Sequence, residues 1–335
     1  MADEPLLEVT DLTVDFPTDD GVVHAVDRVS YTLAEGETLG IVGESGSGKS
    51  VTSLAILGLL PKRAKVTGSV RFRGREVLGL KDNEMRLLRG RNIAMVFQDA
   101  LTSLNPVFRV GDQIAESIKA HRAMPKHDLS ARVIELLELV GIPNPTERAN
   151  QYPHEYSGGM RQRALIAMMI ANEPDVLIAD EPTTALDVTI QAQVLEVMER
   201  IKQRTRSAIV LITHDLGVIA GVADRVLVMY AGRQVELGTA DEIFYEPRHP
   251  YTEGLLASLP RLDRRSGSER LHRIKGQPPS LLALPPGCAF NPRCPHAKHK
   301  ICDGPRPEVV AVGRGGHLSA CLRADEIYAA AQVLS

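Results

Sequence analysis

The residues best suited to chemistry lie in a glycine-rich segment in the first fifty residues. A complete GxxxxGK[ST] pattern is formed by Gly43, Glu44, Ser45, Gly46, Ser47, Gly48, Lys49 and Ser50. Glycines at this spacing let backbone N–H groups close around phosphate oxygens, and a helix that begins near Lys49 points its positive end at them. We therefore predict a nucleoside triphosphate site, with Lys49 at the β- and γ-phosphates and the Ser50 hydroxyl on Mg²⁺.

Two acidic residues form a second chemical feature. Asp180 ends the apolar run 175–180 (DVLIAD), and Glu181 follows it directly. At the end of a buried strand, Asp180 would hold the same Mg²⁺ directly or through water. Glu181 is then placed to polarise an attacking water. Together with Lys49, the pair indicates hydrolysis of the nucleotide.

The elements that must position these residues follow an α/β pattern. The apolar segment 37–42 is predicted to be a strand that enters the glycine loop, and 50–60 a helix that stops at Pro61. Further buried strands are predicted at 175–180, 208–213 and 225–230, with a helix over 190–203 between the first two. The alternating segments 7–9, 12–16 and 22–26 predict an antiparallel sheet before the nucleotide site. The prediction is a P-loop nucleotide-binding fold with a mostly parallel core sheet.

The pattern also predicts a division into domains. Residues 81–165, approximately, are helix-rich, with 133–141 (VIELLELVG) as the clearest amphipathic part, and we expect an inserted helical subdomain there. After Pro260 the composition changes to a polar linker and a proline-rich run. We therefore expect a nucleotide-binding domain over 1–260 and a small irregular domain over 261–335, which contains all the cysteines.

Composition excludes several classes of protein. With 335 residues and 44% hydrophobic residues, the chain can bury a substantial core, and its formal charge of −3 gives no overall basic field for nucleic acid. The acidic segment 1–5 does not resemble a signal peptide, and apolar stretches such as 164–171 are far shorter than the ~20 residues of a membrane-spanning helix. We expect a cytoplasmic location and at most a peripheral membrane role.

Further motifs, in order along the chain, resemble those of the ATP-binding cassette (ABC) family. The sequence Ser157-Gly158-Gly159 fits the family signature, with Met160 in place of the usual glutamine. The other matches are Gln98 in VFQ for the glutamine loop, Asp187 in ALD for the aspartate loop, and His214 in THD for the switch histidine. The resemblance implies the cassette fold.

That resemblance also implies how ATP is held and hydrolysed. ATP would lie between two cassettes, so that Ser157, Gly158 and Gly159 of one contact the γ-phosphate held by Lys49 of the other, beside Asp187. The implied catalytic residues are the general base Glu181, His214 on the γ-phosphate, and Gln98 at Mg²⁺ and water. Phe16 lies where the family places an aromatic ring on adenine; the alternative is a core phenylalanine on an edge strand.

Four other segments resemble the dipeptide/oligopeptide importer subgroup. They are 100–106 (ALTSLNP), 187–193 (DVTIQAQ), 246–252 (EPRHPYT) and 287–295 (GCAFNPRCP). The resemblance implies a subunit on the cytoplasmic face of two membrane permeases, with a coupling helix received around 98–106. It also implies a second cassette, expected to be a different chain, and an extracytoplasmic peptide-binding protein acting indirectly. The alternatives are a nickel importer, a soluble non-transport ABC ATPase and an inert module.

The cysteines form one group, Cys288-x5-Cys294-x7-Cys302-x18-Cys321. Soft thiolates at such varied spacing can hold an iron–sulfur cluster, and relatives with this tail imply a [4Fe–4S] cluster. The alternatives are zinc, with His296, His299 or His317 as substitute ligands, and free structural thiols. Disulfides are disfavoured in a reducing compartment. Nothing in the sequence places this group near Lys49, so a structural or sensory role is expected.

Overall fold

The computed structural model describes residues 4–97, 103–184, 187–259, 273–313 and 315–334. In chain order the described strands are β1 Leu7–Thr18, β2 Gly21–Leu33, β3 Thr38–Val42, β4 Lys65–Phe72, β5 Arg75–Glu76, β6 Ile93–Val96, β7 Val176–Asp180, β8 Ala208–Thr213, β9 Arg225–Tyr230, β10 Arg233–Thr239, β11 Val310–Ala311 and β12 Leu318–Ser319. The described helices are α1 Lys49–Ile56, α2 Asp82–Leu88, α3 Val110–Lys119, α4 Lys126–Leu139, α5 Pro145–Arg148, α6 Gly158–Met169, α7 Val188–Thr205, α8 Leu216–Ile219, α9 Ala240–Tyr245, α10 Pro250–Ala257 and α11 Ala324–Leu334.

Contacts divide the chain into two compact units. The first unit contains residues 1–6, 33–38 and 79–212, and the second contains 7–32, 39–78 and 213–335. Both units are therefore built from segments that are distant in sequence. The predicted border at 260/261 falls among residues 260–272, which lie outside the described residues.

An antiparallel sheet forms the first part of the second unit, as predicted. Its strand order is β2-β1-β4-β5. β1 is one continuous strand whose pairing with β4 shifts register between Thr10 and Thr13. At this bulge Asp11 has φ +48°. Opposite it, a Cβ on Gly68 would lie 2.6 Å from the Asp11 carbonyl oxygen, so glycine is required there.

The second unit also contains the strands that lead to the nucleotide loop. β3 pairs in parallel with β9, β9 pairs antiparallel with β10, and β10 pairs in turn with β12 from the tail. β12 then pairs with β11. The expectation of an irregular tail is therefore wrong in part, because β11, β12 and α11 are regular elements. These strands are so short that no alternating pattern marks them in the sequence.

The first unit has a parallel sheet beside its helices. β6 pairs in parallel with β7, and β7 with β8. The predicted helix-rich range contains α2 to α6, and within it β6 contributes to the parallel sheet. Its helices α3, α4 and α6 pack on one another. Among the described residues, none of the helices is long and apolar enough to cross a membrane.

The helix after the nucleotide loop is shorter than predicted. α1 ends at Ile56, whereas the sequence predicted a helix to residue 60. The reason is Gly58, which has φ +60° and donates its N–H to the Ala55 carbonyl oxygen. A glycine in this left-handed conformation ends a helix.

One buried carboxylate in the second unit joins three segments. Glu236 on β10 is completely buried and accepts hydrogen bonds from the backbone N–H groups of Arg248 (2.5 Å) and His249 (3.1 Å). His317, beside β12, contacts the same carboxylate at 2.8 Å and is itself buried. Burying a carboxylate is costly unless hydrogen bonds satisfy it, and here they come from both the α10 region and the tail.

We predict that Glu236→Ala lowers the free energy of unfolding by about 3 kcal/mol, because two buried N–H groups and His317 lose their acceptor. Chemical denaturation measures the change. Glu253→Ala is the matched control, since that side chain is 54% exposed, and its expected effect is below about 0.5 kcal/mol. Equal losses in both variants would contradict this role.

Candidate active site

The phosphate-binding loop, residues 43–50, connects β3 to α1 in the second unit. All five β3 residues are buried, which fixes the start of the loop. Gly48, with φ +100°, precedes α1, and its conformation places Lys49 in the first turn of the helix. The predicted order of strand, loop and helix is thus present.

Two loop glycines are required by close backbone contacts. A Cβ on Gly43 would lie 2.2 Å from the Met229 carbonyl oxygen, and one on Gly48 would lie 2.5 Å from the Ala25 carbonyl oxygen. Both distances are far below any normal contact. The loop is therefore held against neighbouring backbone, with its N–H groups in fixed positions.

The polar groups of the loop fit an anionic ligand. The Lys49 ammonium is buried and donates to the carbonyl oxygens of Gly43 (2.8 Å) and Glu44 (3.1 Å). Within the described part of the chain, the buried Ser47 hydroxyl has no hydrogen-bond partner. A buried cation, an unsatisfied hydroxyl and the start of α1 are a donor set for phosphate oxygens. Ser50, the predicted Mg²⁺ ligand, is half-buried on α1.

The predicted acidic pair lies in the first unit. Asp180 ends β7 and is buried, and Glu181 follows with φ +46°, a left-handed conformation that is rare outside glycine. The Glu181 N–H donates to the Ile212 carbonyl oxygen at 2.9 Å, and the Thr184 hydroxyl donates to the Glu181 carboxylate at 2.7 Å. Backbone strain of this kind is common at functional sites.

The signature motif forms the start of α6 in the first unit. Ser157 and Gly158 are exposed, and the Ser157 hydroxyl accepts a hydrogen bond from the Met160 N–H at 3.3 Å. Gly159 is buried, and a Cβ there would lie 2.5 Å from Ile190 Cγ2. The motif thus places an exposed, serine-capped helix start at the surface of this unit.

Asp187 has a visible structural role. Its carboxylate accepts the Ile190 N–H at 3.0 Å and caps α7. The rest of the predicted aspartate loop, Ala185 and Leu186, lies outside the described residues. By ordering the first turn of α7, Asp187 also holds Ile190 against Gly159.

The remaining predicted residues have different surroundings. His214 is exposed directly after β8, just before the short helix α8, which Asp215 caps. Phe16 is half-exposed on β1, one residue beyond Asp15, the last β1 residue that pairs with β4. Gln98 lies outside the described residues.

Two family models match the chain. The model for "ABC transporter" matches residues 26–184, and the model for "Oligopeptide/dipeptide transporter, C-terminal region" matches residues 235–302. The chain is 52% identical over 318 residues to the oligopeptide transport ATP-binding protein OppD of Salmonella typhimurium, which covers 95% of this chain and 93% of that protein. The chain belongs to the ABC transporter family. The cassette is also 56% identical over 302 residues to the dipeptide transport ATP-binding protein DppD of Bacillus subtilis, covering 90% of this chain and 89% of that one.

Solved cassettes have the same fold. A dimeric post-hydrolysis structure of the ATP-binding cassette MJ0796, bound to ADP and Pi, is 27% identical, with a TM-score of 0.63 over 70% of this chain and 98% of that chain. The cbiO1 structure from Clostridium perfringens is 26% identical, also with a TM-score of 0.63, over 73% of this chain and 92% of that chain. The predicted cassette fold is confirmed.

The cysteines of this ABC protein surround one small cavity in the second unit. All four side chains, Cys288, Cys294, Cys302 and Cys321, line it, and all are free thiols. Burial raises the pKa of Cys294 and of Cys321 to about 11. The neighbouring thiols raise these pKa values further, to a smaller extent. Among the described residues, no group of His, Cys, Asp or Glu has the geometry to hold a metal ion.

The histidines suggested as zinc ligands are divided among different contacts. His296 lines the cysteine cavity, whereas His299 pairs with Asp303 and His317 with the buried Glu236. The last two are thus already engaged elsewhere. The cavity is also lined by His249, which the sequence analysis did not select; burial lowers its pKa to about 3, so it is neutral and accepts the Tyr251 N–H.

Sequence analysis also missed a set of contacts on the phosphate-binding loop. Arg293 and Tyr251, both far along the chain, bond directly to Glu44. The resemblance to the importer subgroup had marked the segments 287–295 and 246–252, which contain Arg293 and Tyr251, but not their contact with the loop. No local pattern connects it to the loop.

We predict that Gly159→Ala lowers the free energy of unfolding of this cassette by about 1–3 kcal/mol, because the new methyl group would overlap Ile190. Gly158→Ala is the matched control, since a Cβ there meets nothing within 4 Å. In the control, alanine should leave stability unchanged or raise it by up to about 1 kcal/mol. Chemical denaturation of both variants decides the point, and equal stabilities would show that α6 does not pack on Ile190 as described.

Proposed function

We propose that this chain is the ATP-hydrolysing subunit of an ABC importer for dipeptides and oligopeptides. The supporting observation is the phosphate-binding loop of a cassette joined, in one chain, to a match for the oligopeptide/dipeptide transporter C-terminal region. We place the cassette at 1–260, with its helical subdomain at about 81–165, and the tail at 261–335.

In the proposed mechanism, Lys49 and the loop N–H groups bind the β- and γ-phosphates, and Phe16 stacks on adenine. Glu181 accepts a proton from water as the water oxygen bonds to the γ-phosphorus and the bond to the β–γ bridging oxygen breaks. His214 donates to the γ-phosphate, and Gln98 orients the water. Ser50, Asp180 and Gln98 would hold Mg²⁺, which supplies neutralisation of the charge on the phosphates.

The exposed start of α6 supports an ATP sandwich between two cassettes. Ser157, Gly158 and Gly159 would present a hydroxyl and backbone N–H groups to the γ-phosphate bound by the partner, with Asp187 at the same border. Gly158 has open space above it, which leaves room for a ligand. We propose that the partner is a second, different cassette chain.

The proposed location is the cytoplasmic face of the membrane, where the chain docks on two permease subunits. The segment 98–106 would receive a coupling helix; its described part, Ser103 to Pro106, precedes the exposed Val107 and Phe108, which are 71% and 54% exposed. Exposed apolar side chains of this size suit a protein interface. An extracytoplasmic binding protein would supply the peptide to the permeases.

The peptide cargo is inferred from the relatives named for oligopeptide and dipeptide transport. A nickel importer with the same cassette is the second candidate. In the complex reconstituted with its permeases and binding protein, stimulation of ATP turnover by peptide supports the first function, and stimulation by Ni²⁺ the second. Full turnover without permeases, unchanged by adding them, would instead indicate a soluble ATPase.

We predict that Glu181→Gln abolishes steady-state ATP hydrolysis, by at least about 100-fold, while ATP still binds and holds the two cassettes together. Phosphate release and size-exclusion chromatography with ATP measure the two effects. Glu196→Gln, at a 70% exposed carboxylate of the first unit, is the matched control and should hydrolyse normally. Unchanged turnover in Glu181→Gln would remove this residue from the mechanism.

We further propose that the tail holds a [4Fe–4S] cluster on Cys288, Cys294, Cys302 and Cys321. The observation that supports this proposal is that all four thiols line one small cavity, and four cysteine thiolates are the usual ligand set of such a cluster. Zinc and free thiols remain the alternatives to be tested.

We predict about four iron atoms and about four acid-labile sulfides per anaerobically purified chain, both lost in Cys294→Ser. His299→Ala is the matched control: its side chain is exposed, bonds Asp303 and is not among the residues that line the cavity. Elemental analysis and the sulfide assay provide the measurement. One zinc per chain would contradict the cluster and indicate a zinc site. No metal would indicate that the four thiols only pack against one another.

A further inference from the structure

The phosphate-binding loop is bonded to the tail of the same chain. Arg293 in the tail contacts Glu44 of the loop with both guanidinium nitrogens: Nη1 lies 2.6 Å from Oε2, and Nη2 lies 2.9 Å from Oε1. Both residues belong to the second unit. A two-point pair of this kind is strong and directional. It joins the segment between Cys288 and Cys294 to a residue adjacent to the phosphate-binding N–H groups.

Arg293 is held rigidly for this contact. It ends the short 3₁₀ turn Asn291–Arg293, and its Nε donates to the Lys275 carbonyl oxygen at 3.0 Å. Nη1 also donates to the Tyr230 hydroxyl at 3.2 Å, and the side chain is 5% exposed. A guanidinium buried in this way differs from a mobile surface arginine, whose ion pairs contribute little.

Glu44 is fixed at its other polar groups as well. Its N–H donates to the Tyr251 hydroxyl at 2.8 Å, and its carbonyl oxygen accepts from Lys49. Burial raises the pKa of Tyr251, so the phenol stays neutral and its oxygen can accept this hydrogen bond. The loop residue therefore has its amide, carbonyl and carboxylate all bonded, the amide to α10 and the carboxylate to the tail.

The charge of Glu44 matters because its position lies within the loop that must receive a polyanion. An uncompensated carboxylate there would repel the triphosphate, and the effect is large where water is partly excluded. Arg293 supplies the opposite charge.

We propose that Arg293 is a positioning residue for ATP binding: by anchoring and neutralising Glu44, the tail of this chain sets the ATP affinity of its phosphate-binding loop. This inference rests on ATP binding at residues 43–50 and is independent of the cargo. The Arg293–Glu44 pair is a direct contact between the tail and the nucleotide loop. No sequence pattern had indicated that any part of the tail lies near Lys49.

The test measures the dissociation constant for ATP with Mg²⁺ by isothermal titration calorimetry on the full chain. We expect Arg293→Gln to weaken binding about tenfold, and Arg293→Lys, which keeps the charge but loses the two-point geometry, by about threefold. At saturating ATP, kcat should stay within about twofold, so that the loss falls on KM.

The double variant Glu44→Gln/Arg293→Gln tests whether Arg293 acts by neutralising the Glu44 charge or only by supporting the structure of the loop. With the carboxylate removed, loss of the arginine leaves no repelling charge, so ATP affinity should return to within about threefold of the native value. Lys298→Gln is the matched control, because it breaks an ion pair with Glu326 inside the tail, and its affinity should equal the native value. Thermal unfolding of each variant checks that it is folded.

Three results would overturn the inference. They are native affinity in Arg293→Gln, the same loss in Arg293→Gln and in the double variant, and an equal loss in Lys298→Gln. The last two would mean that the tail only supports the fold. If the native chain itself fails to bind ATP, the proposed ATPase function fails instead, which is a separate outcome.

Discussion

Close backbone contact around the phosphate-binding loop is the constraint on which the second unit depends. Gly43 is pressed against the Met229 carbonyl oxygen, and the Gly232 N–H donates to the Ser47 carbonyl oxygen at 3.0 Å. Met229 lies near the end of β9, and Gly232 lies in the turn between β9 and β10. That turn has positive φ at Ala231 and Gly232, the geometry of tight hairpins. The position of the loop is therefore fixed by a hairpin almost two hundred residues away.

The same hairpin carries the interactions that attach the tail. β10 leaves the turn and bears Glu236, whose buried carboxylate bonds the Arg248 and His249 N–H groups together with His317. A buried acid is tolerated only when its hydrogen bonds are complete, so the α10 region and the tail must both be in place for β10 to be stable. Tyr251 at the start of α10 then reaches the loop through the Glu44 N–H. Loop, hairpin and tail thus form one connected polar system.

Local patterns account for what could be predicted from the sequence. The strand β3, the glycine loop and the start of α1 are encoded by adjacent residues, and so are the buried strands β7, β8 and β9. The end of α1 has a local cause in Gly58, whose left-handed conformation stops the helix although apolar residues continue beyond it. The contact of Arg293 with Glu44 spans 249 residues, and the strands of the tail are two residues long. Neither leaves a periodic trace, because both depend on tertiary pairing.

The departure of Met160 from the family signature has a physical explanation. In the cap of α6, Ser157 accepts a hydrogen bond from the backbone N–H of residue 160, which every residue except proline supplies. Methionine therefore preserves the cap as well as glutamine does. A hydroxyl that accepts this bond keeps its own proton as a donor. The cap fixes the orientation of Ser157 through the backbone, so the geometry of the motif does not depend on a glutamine side chain at position 160.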